Sequence, residues 1–344
     1  MDDTPVRIGL VGYGFGGRRF HAPLITSAAG AELAGVVTRS PERRAELEAD
    51  HPGTPAFDTL ADLAAAGVEA VAISTPAQTH IDVLYEAIEL GLAAVVDKPF
   101  APDAATARAA VRAAEQAGLT LSVYQNRRWD SDLLTVRRLL DTGALGDVVR
   151  FASAFERFDQ SAPPASGGGI LRDFGSHLFD QALLLFGPVA SVYAEALERP
   201  EHGGLEYGFF AALRHRGGMT SHIAGNWTEG APAPRFRVTG TEGSYVVGGM
   251  DGQEEALIAG RSPASEGDDW GTEPEQRWGL LQRGESSEPV PSERGRWDTY
   301  YPAFAAAVRG AGRVPVDPWD AVASLEVIDA ARASAASGRT VELA

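Results

Sequence analysis

The chain has 344 residues, a formal net charge of −17, 44% hydrophobic residues and no cysteine. The missing cysteines remove disulfides, thiolate nucleophiles and Cys-ligated zinc, and the acidic balance argues against nucleic acid or an anionic membrane as partner, since both need a positive footprint. No apolar run is long enough to span a bilayer, and the opening MDDTPVRIGL lacks the basic and apolar regions of a signal peptide, so a cytoplasmic protein acting on a small molecule is expected.

In chain order, apolar runs at 6–11, 32–37, 70–74, 93–96 and 119–123 read as strands. Helical stretches separate them: one opens at a glycine cluster and runs to about 29, and others lie near 79–91 and 103–117. Strand alternating with helix implies a doubly wound parallel sheet. After about residue 124 the pattern changes: a helix at 130–142 is followed by strands at 148–156, 189–197, 205–214, 219–228, 235–239 and 243–247. A helix at 171–186 interrupts them, and the run predicts a largely antiparallel sheet. Residues 260–295, rich in Gly, Ser, Pro and Glu, read as a long surface excursion, and 318–337 as a final helix. The expected division is 1–124 for the parallel part and 125–344 for the rest.

The stretch IGLVGYGFGGRRFH at 8–21 contains G-x-G-x-x-G between a strand and a helix, the context a dinucleotide site requires. Gly12 would make the tight turn, Gly14 would admit a pyrophosphate, and Gly17 would let helix and strand pack closely, with Tyr13 and Phe15 completing the loop. The free N–H groups of the helix start would face the phosphates. An NAD site usually carries an acid at the end of the second strand. Here that position reads Val37-Thr38-Arg39-Ser40. Arg39 can pair with a 2′-phosphate, and Thr38 or Ser40 can donate to it, so NADP is expected over NAD. A solvated Arg39 that tolerates either cofactor is the alternative.

The seven histidines show no metal-binding spacing, and no metal is expected. Two segments suggest chemistry. Lys98, in Val96-Asp97-Lys98-Pro99, follows a sheet strand at its carboxyl end, where open α/β sheets bind ligands. It could hold a substrate oxygen and stabilise developing negative charge, or be an ordinary loop lysine. In Leu171-Arg172-Asp173-Phe174-Gly175-Ser176-His177, the four-residue spacing puts Asp173 and His177 on one face of a helix. His177 suits proton exchange with an alcohol or carbonyl, and Asp173 could orient it. The competing reading makes Asp173 a helix cap and His177 a core histidine. Thr75-Pro76-Ala77-Gln78-Thr79-His80 follows the third apolar run and could border a nicotinamide, or could simply start the next helix.

The order G-x-G-x-x-G, T-P-x-x-x-H, acid-Lys-Pro, D-x-G-x-H-x-x-D resembles the Gfo/Idh/MocA family of NAD(P)-dependent oxidoreductases over nearly the whole chain. FHAPLI at 20–25, YQNRRWDSDLLTV at 124–136, RDFGSHLFDQALLLFG at 172–187 and GMDGQEEALIAGR at 249–261 are most similar to its NADP-dependent scyllo-inositol 2-dehydrogenases. The resemblance implies an N-terminal Rossmann domain and a C-terminal α/β domain with an open-faced, mostly antiparallel sheet through which copies associate as a homo-oligomer. It implies Lys98, Asp173 and His177 as catalytic residues, and Thr75, Pro76, His80, Asp97 and Lys98 as lining the cofactor. Asn126, Arg127, Glu156, Arg157 and Trp227 are candidate contacts to a polyol. Asp97 stands where the family usually has Glu, one methylene longer. The implied activity is hydride transfer between a secondary alcohol of a cyclic polyol or sugar and NADP. Other sugar or keto-sugar dehydrogenases, and a non-catalytic NADP-binding regulator, are the alternatives.

Overall fold

The computed structural model describes residues 4–161, 163, 168–198 and 203–343. They form two compact units that are discontinuous in sequence. The first comprises Met1–Asn126, Gln253–Trp270 and Arg296–Ala321; the second comprises Arg127–Gly252, Gly271–Gly295 and Val322–Ala344.

The first unit is built on β1 (Val6–Val11), β2 (Ala31–Val37), β3 (Ala56–Phe57), β4 (Ala70–Ile73), β5 (Ala93–Val96) and β6 (Leu121–Val123). They hydrogen-bond in the order β3-β2-β1-β4-β5-β6, and every pairing is parallel. Helices cover both faces of such a sheet, so its strands are apolar throughout rather than alternating. All four residues of β4 and of β5 are buried. The strand order reverses between β1 and β4, and the crevice at their carboxyl ends is where a doubly wound sheet takes its ligand.

The second unit is a sheet of β7 (Val148–Glu156), β8 (Val189–Glu198), β9 (Glu206–His215), β10 (Thr220–Asn226), β11 (Phe236–Gly240), β12 (Ser244–Val247), β13 (Gly279–Arg283), β14 (Ser286–Val290) and β15 (Val341–Glu342). Among the described residues its order is β14-β13-β12-β11-β7-β10-β9-β8-β15. Only the β10–β7 pairing is parallel; the others are antiparallel. Burial alternates along β10, the pattern of a strand with one face packed and one face more open.

The expected architecture is therefore present, with local departures. The helix after the glycines ends at Thr26 rather than near 29, and its segment Gly17–His21 is a π-helical turn. The stretch 171–186 is two helices, Ile170–Asp173 and Gly175–Phe186, broken at Phe174. Residues 260–295 are not a bare excursion: they add β13 and β14 to the edge of the second sheet. A helix at Tyr300–Val308 was not anticipated; its Pro302 sits in the first turn, where the missing N–H has no intrahelical partner to lose. Among the described residues, no helix is long and apolar enough to cross a membrane.

Candidate active site

In the first unit the glycines meet three different constraints. Gly12 has φ of +99°, and a Cβ there would lie 2.7 Å from the Ser74 carbonyl oxygen. A Cβ on Gly17 would stand 2.1 Å from the Gly12 carbonyl oxygen, so only glycine lets the helix close on the strand. Gly14 faces open space, with no atom within 4 Å of where its Cβ would be. The turn, the close packing and the open approach are the three conditions for a pyrophosphate at a helix N-terminus, so these residues fit a nicotinamide dinucleotide.

The neighbours of the loop divide into structural and available groups. Tyr13 is buried and donates its hydroxyl to Asp50 at 3.1 Å, and Arg18 also bonds Asp50, at 2.6 Å. Both clamp the loop to the helix Pro41–Asp50. Phe15 is 59% exposed and packs edge-on against Phe20, with ring centroids 5.3 Å apart. At the end of β2, Ser40 caps the next helix by accepting the Arg43 N–H. Thr38 is tied by backbone bonds to Phe57 and Arg44. Arg43 pairs with Glu46 at 2.6 Å and Arg44 with Asp58 at 2.8 Å. Arg39 is exposed and makes no hydrogen bond or ion pair among the described residues.

At the end of β4, Thr75 accepts a bond from Thr79 at 2.8 Å, and Pro76 is exposed. His80 is buried, with Nε2 2.9 Å from the Thr75 carbonyl and Nδ1 3.0 Å from that of Pro99. Burial pushes its pKa down. The ring ties two strand-end loops together and has no nitrogen left for a substrate. Lys98 follows β5, half-buried, and joins Pro99 through a cis peptide. It is the only lysine in the sequence; every other Lys or Arg position is arginine. A lysine ammonium is a compact charge that can exchange protons, whereas a guanidinium keeps its charge.

Asp97 accepts two hydrogen bonds and stands against a histidine. Oδ1 accepts the Lys98 N–H at 2.8 Å, Oδ2 accepts the Ser74 hydroxyl at 2.9 Å, and Oδ2 lies 3.2 Å from His21 Nε2. Burial alone would raise this carboxyl, but the His21, His80 and Lys98 charges outweigh it and bring the pKa to about 2. Sequence reasoning gave His21 and Ser74 no role.

In the second unit, Asp173 ends one short helix, and its carbonyl accepts the Ser176 hydroxyl at 2.9 Å. His177 is buried in the next helix, beyond the break at Phe174. The two are therefore brought near by a helix–helix junction, not by one continuous helix. Asp180, the last residue of the D-x-G-x-H-x-x-D motif, bonds Arg128 through both oxygens, at 2.7 and 2.5 Å. Arg127 is buried, 3.2 Å from Asp130. The guanidinium of Arg157 lies 5.3, 5.1 and 5.0 Å from the ring centres of Phe155, Phe174 and Trp227. This cation–π cage ties the end of β7 to the residue after Asp173. The Trp227 indole N–H goes to the Ser161 carbonyl at 3.0 Å, and Glu156 accepts the Ala233 N–H at 2.6 Å. Asn126 is buried at the start of the 3₁₀ turn Asn126–Trp129, in the first unit. Among the described residues no group of His, Asp and Glu could hold a metal ion.

A parallel sheet in this order with a pyrophosphate-fitting glycine loop defines a dinucleotide-binding Rossmann unit, and family comparison makes its class specific. Residues 6–125 match the NAD-binding Rossmann fold of the oxidoreductase family Gfo/Idh/MocA, and 137–343 match that family's C-terminal alpha/beta domain. The chain belongs to the Gfo/Idh/MocA family of oxidoreductases. It is 31% identical to scyllo-inositol 2-dehydrogenase (NADP(+)) IolW of Bacillus subtilis, over 98% of this chain and 96% of that protein. It is 37% identical to the oxidoreductase YdgJ of Escherichia coli, over the full length of both. The structure of the oxidoreductase yvaA from Bacillus subtilis superposes with a TM-score of 0.92 at 30% identity, covering both chains completely.

Proposed function

We propose that this protein is an NADP-dependent dehydrogenase that oxidises a secondary alcohol of a cyclic polyol or sugar, an inositol and scyllo-inositol in particular, or reduces the corresponding ketone. The observation that carries the reading is the single lysine, Lys98, at the carboxyl end of β5 beside the glycine loop, in a chain alignable end to end with an inositol dehydrogenase. The choice of NADP rests on Arg39. Of the three arginines around the end of β2 it alone has no acidic partner among the described residues, so its guanidinium is available for a 2′-phosphate. A non-catalytic regulator would have no use for the retained lysine, aspartate and histidine.

Bound nicotinamide supplies the hydride acceptor. Lys98 binds the substrate oxygen and stabilises its alkoxide character through Nζ. His177 takes the hydroxyl proton on its imidazole, a step typically worth ~10²–10⁴-fold. Asp173 orients that histidine. Arg157, caged on three rings, presents its N–H groups to substrate hydroxyls, with Asn126, Arg127, Glu156 and Trp227 as further polyol contacts. Copies of the chain associate through the second sheet, which light scattering would report as a mass above 36.3 kDa.

The test is NADPH formation over a panel of inositols and monosaccharides, with Lys98→Ala and His177→Ala as controls. Turnover of inositols lost in both variants supports the reading. Activity surviving both substitutions defeats the mechanism, and turnover of monosaccharides but not inositols defeats the substrate assignment.

A further inference from the structure

The glycine loop carries a glycine outside the G-x-G-x-x-G spacing, Gly16, and its surroundings explain it. A Cβ there would lie 2.8 Å from Ser74 Oγ and 3.0 Å from Asp97 Oδ2. The start of the phosphate-facing helix therefore rests directly on the Ser74–Asp97 pair at the ends of β4 and β5. Within the π-helical turn that follows, His21 closes the same contact. Its side chain is wholly buried, with Nε2 3.2 Å from Asp97 Oδ2 and Nδ1 2.5 Å from the Tyr301 hydroxyl. The ring packs on Tyr124 at 4.3 Å between centroids. The other oxygen of Asp97 takes the Lys98 backbone N–H at 2.8 Å.

We propose that His21 is a positioning residue for Lys98: through Nε2 it fixes the Asp97 carboxylate, which in turn fixes the Lys98 backbone, so the cofactor loop and the lysine are set in one register. This rests on the reading of Lys98 as the group that meets the substrate oxygen. An aspartate suits this arrangement better than a glutamate, one methylene longer. The shorter side chain keeps its carboxylate against its own next backbone N–H, and the imidazole reaches in from the helix to meet it. A half-buried carboxylate gains from such a partner, since a charge loses hydration as it leaves water. The charged or titratable groups around Asp97 are His21 on the helix, His80 after β4, Lys98 itself and Tyr301.

Because Lys98 is the only lysine, a chain labelled with [15N]lysine has one backbone amide signal, and that N–H is the one bound to Asp97. The experiment records its chemical shift and hydrogen exchange in wild type, His21→Phe, Tyr301→Phe and Asp97→Asn, with thermal unfolding of each to confirm folding. In His21→Phe the amide is expected to exchange about tenfold faster or more, as local opening becomes easier, and to shift in the direction seen for Asp97→Asn. Tyr301→Phe, which removes only the hydroxyl at Nδ1, should move it the same way by less, and decides the matter if His21→Phe does not fold. Initial rates with NADP and scyllo-inositol add a second readout. Misplacement of a reacting group costs up to about 10²-fold, so kcat in His21→Phe should fall roughly 10- to 100-fold with little change in KM for NADP. An amide unchanged in shift, and within about twofold of wild type in exchange, in both the His21 and the Tyr301 variants overturns the proposal. Full activity in Lys98→Ala would instead defeat the functional reading, and the amide measurement would still decide whether His21 holds the Lys98 backbone.

Discussion

Replacing Asp180 with alanine should destabilise the second unit without being a lesion of the chemical site. Asp180 belongs to the same short motif as Asp173 and His177, so the motif alone invites a catalytic role for it. The structure instead commits both its oxygens to Arg128, and the two side chains are 2% and 9% exposed. Asp180→Ala leaves the Arg128 guanidinium buried with its main counter-charge gone. Breaking a buried pair from one side costs about 3–5 kcal/mol, most of it the penalty of the stranded charge. In a unit of this size each kcal/mol moves the midpoint by about 2–4 °C, so a fall of roughly 6–20 °C is expected. Thermal unfolding followed by circular dichroism measures it. The double substitution Arg128→Met/Asp180→Leu, which removes both charges and keeps volume, should recover most of the loss. A midpoint lowered by less than about 2 °C would refute the reasoning, as would loss of turnover in a variant that unfolds like wild type.

Three further perturbations have defined outcomes. Arg39→Asp removes a charge-assisted bond worth about 1.5–3 kcal/mol, so kcat/KM with NADP should fall roughly 10- to 100-fold while that with NAD does not; equal losses with both cofactors would contradict the assignment. Gly14→Val and Gly17→Ala should separate binding from folding. The first enters open space, keeps stability within about 0.5 kcal/mol and weakens NADPH binding seen by fluorescence titration. The second drives a methyl into the Gly12 carbonyl and should cost about 1–3 kcal/mol. Burial raises the Asp132 carboxyl to about 6, against the opposing pull of Arg235. The folded chain then holds a proton that the unfolded chain releases near 4, so this group's contribution to stability falls as pH rises from about 4 to about 6. Denaturant midpoints across that window should show the fall in wild type, and Asp132→Asn, which cannot ionise, should show less of it, the burial-raised Asp130 and Glu273 keeping the remainder.

The parallel unit was largely legible because its signals are local. Ile8–Val11 is apolar throughout since both faces are covered, and Gly12 and Gly17 each answer a steric demand that only glycine meets, while Gly14 leaves open space. The helix Pro41–Asp50 was harder to read, because a single residue, Leu47, is buried and no apolar stripe marks it. Strands β13 and β14 were hidden for a similar reason: they lie at the sheet edge, where Ser286, Glu288 and Pro289 are as acceptable as apolar residues. The roles that sequence left unassigned come from contacts distant along the chain. Asp180 meets Arg128 across 52 positions, and His21 meets Tyr301 across 280. No periodicity reports such a pairing. One local signal was present, however: a chain with one lysine, placed directly after a sheet strand.

The central claim is hydride transfer from a polyol carbon to the nicotinamide of NADP. Its most direct test uses scyllo-inositol deuterated at its ring carbons, incubated with the protein and NADP, followed by mass spectrometry of the NADPH formed. The account predicts NADPH one mass unit heavier with the deuterated substrate, no such product with Lys98→Ala or His177→Ala, and a slower rate than with ordinary scyllo-inositol if the transfer limits turnover. NADPH that forms without deuterium, or an unlabelled and unreduced cofactor beside a fully folded protein, would contradict it.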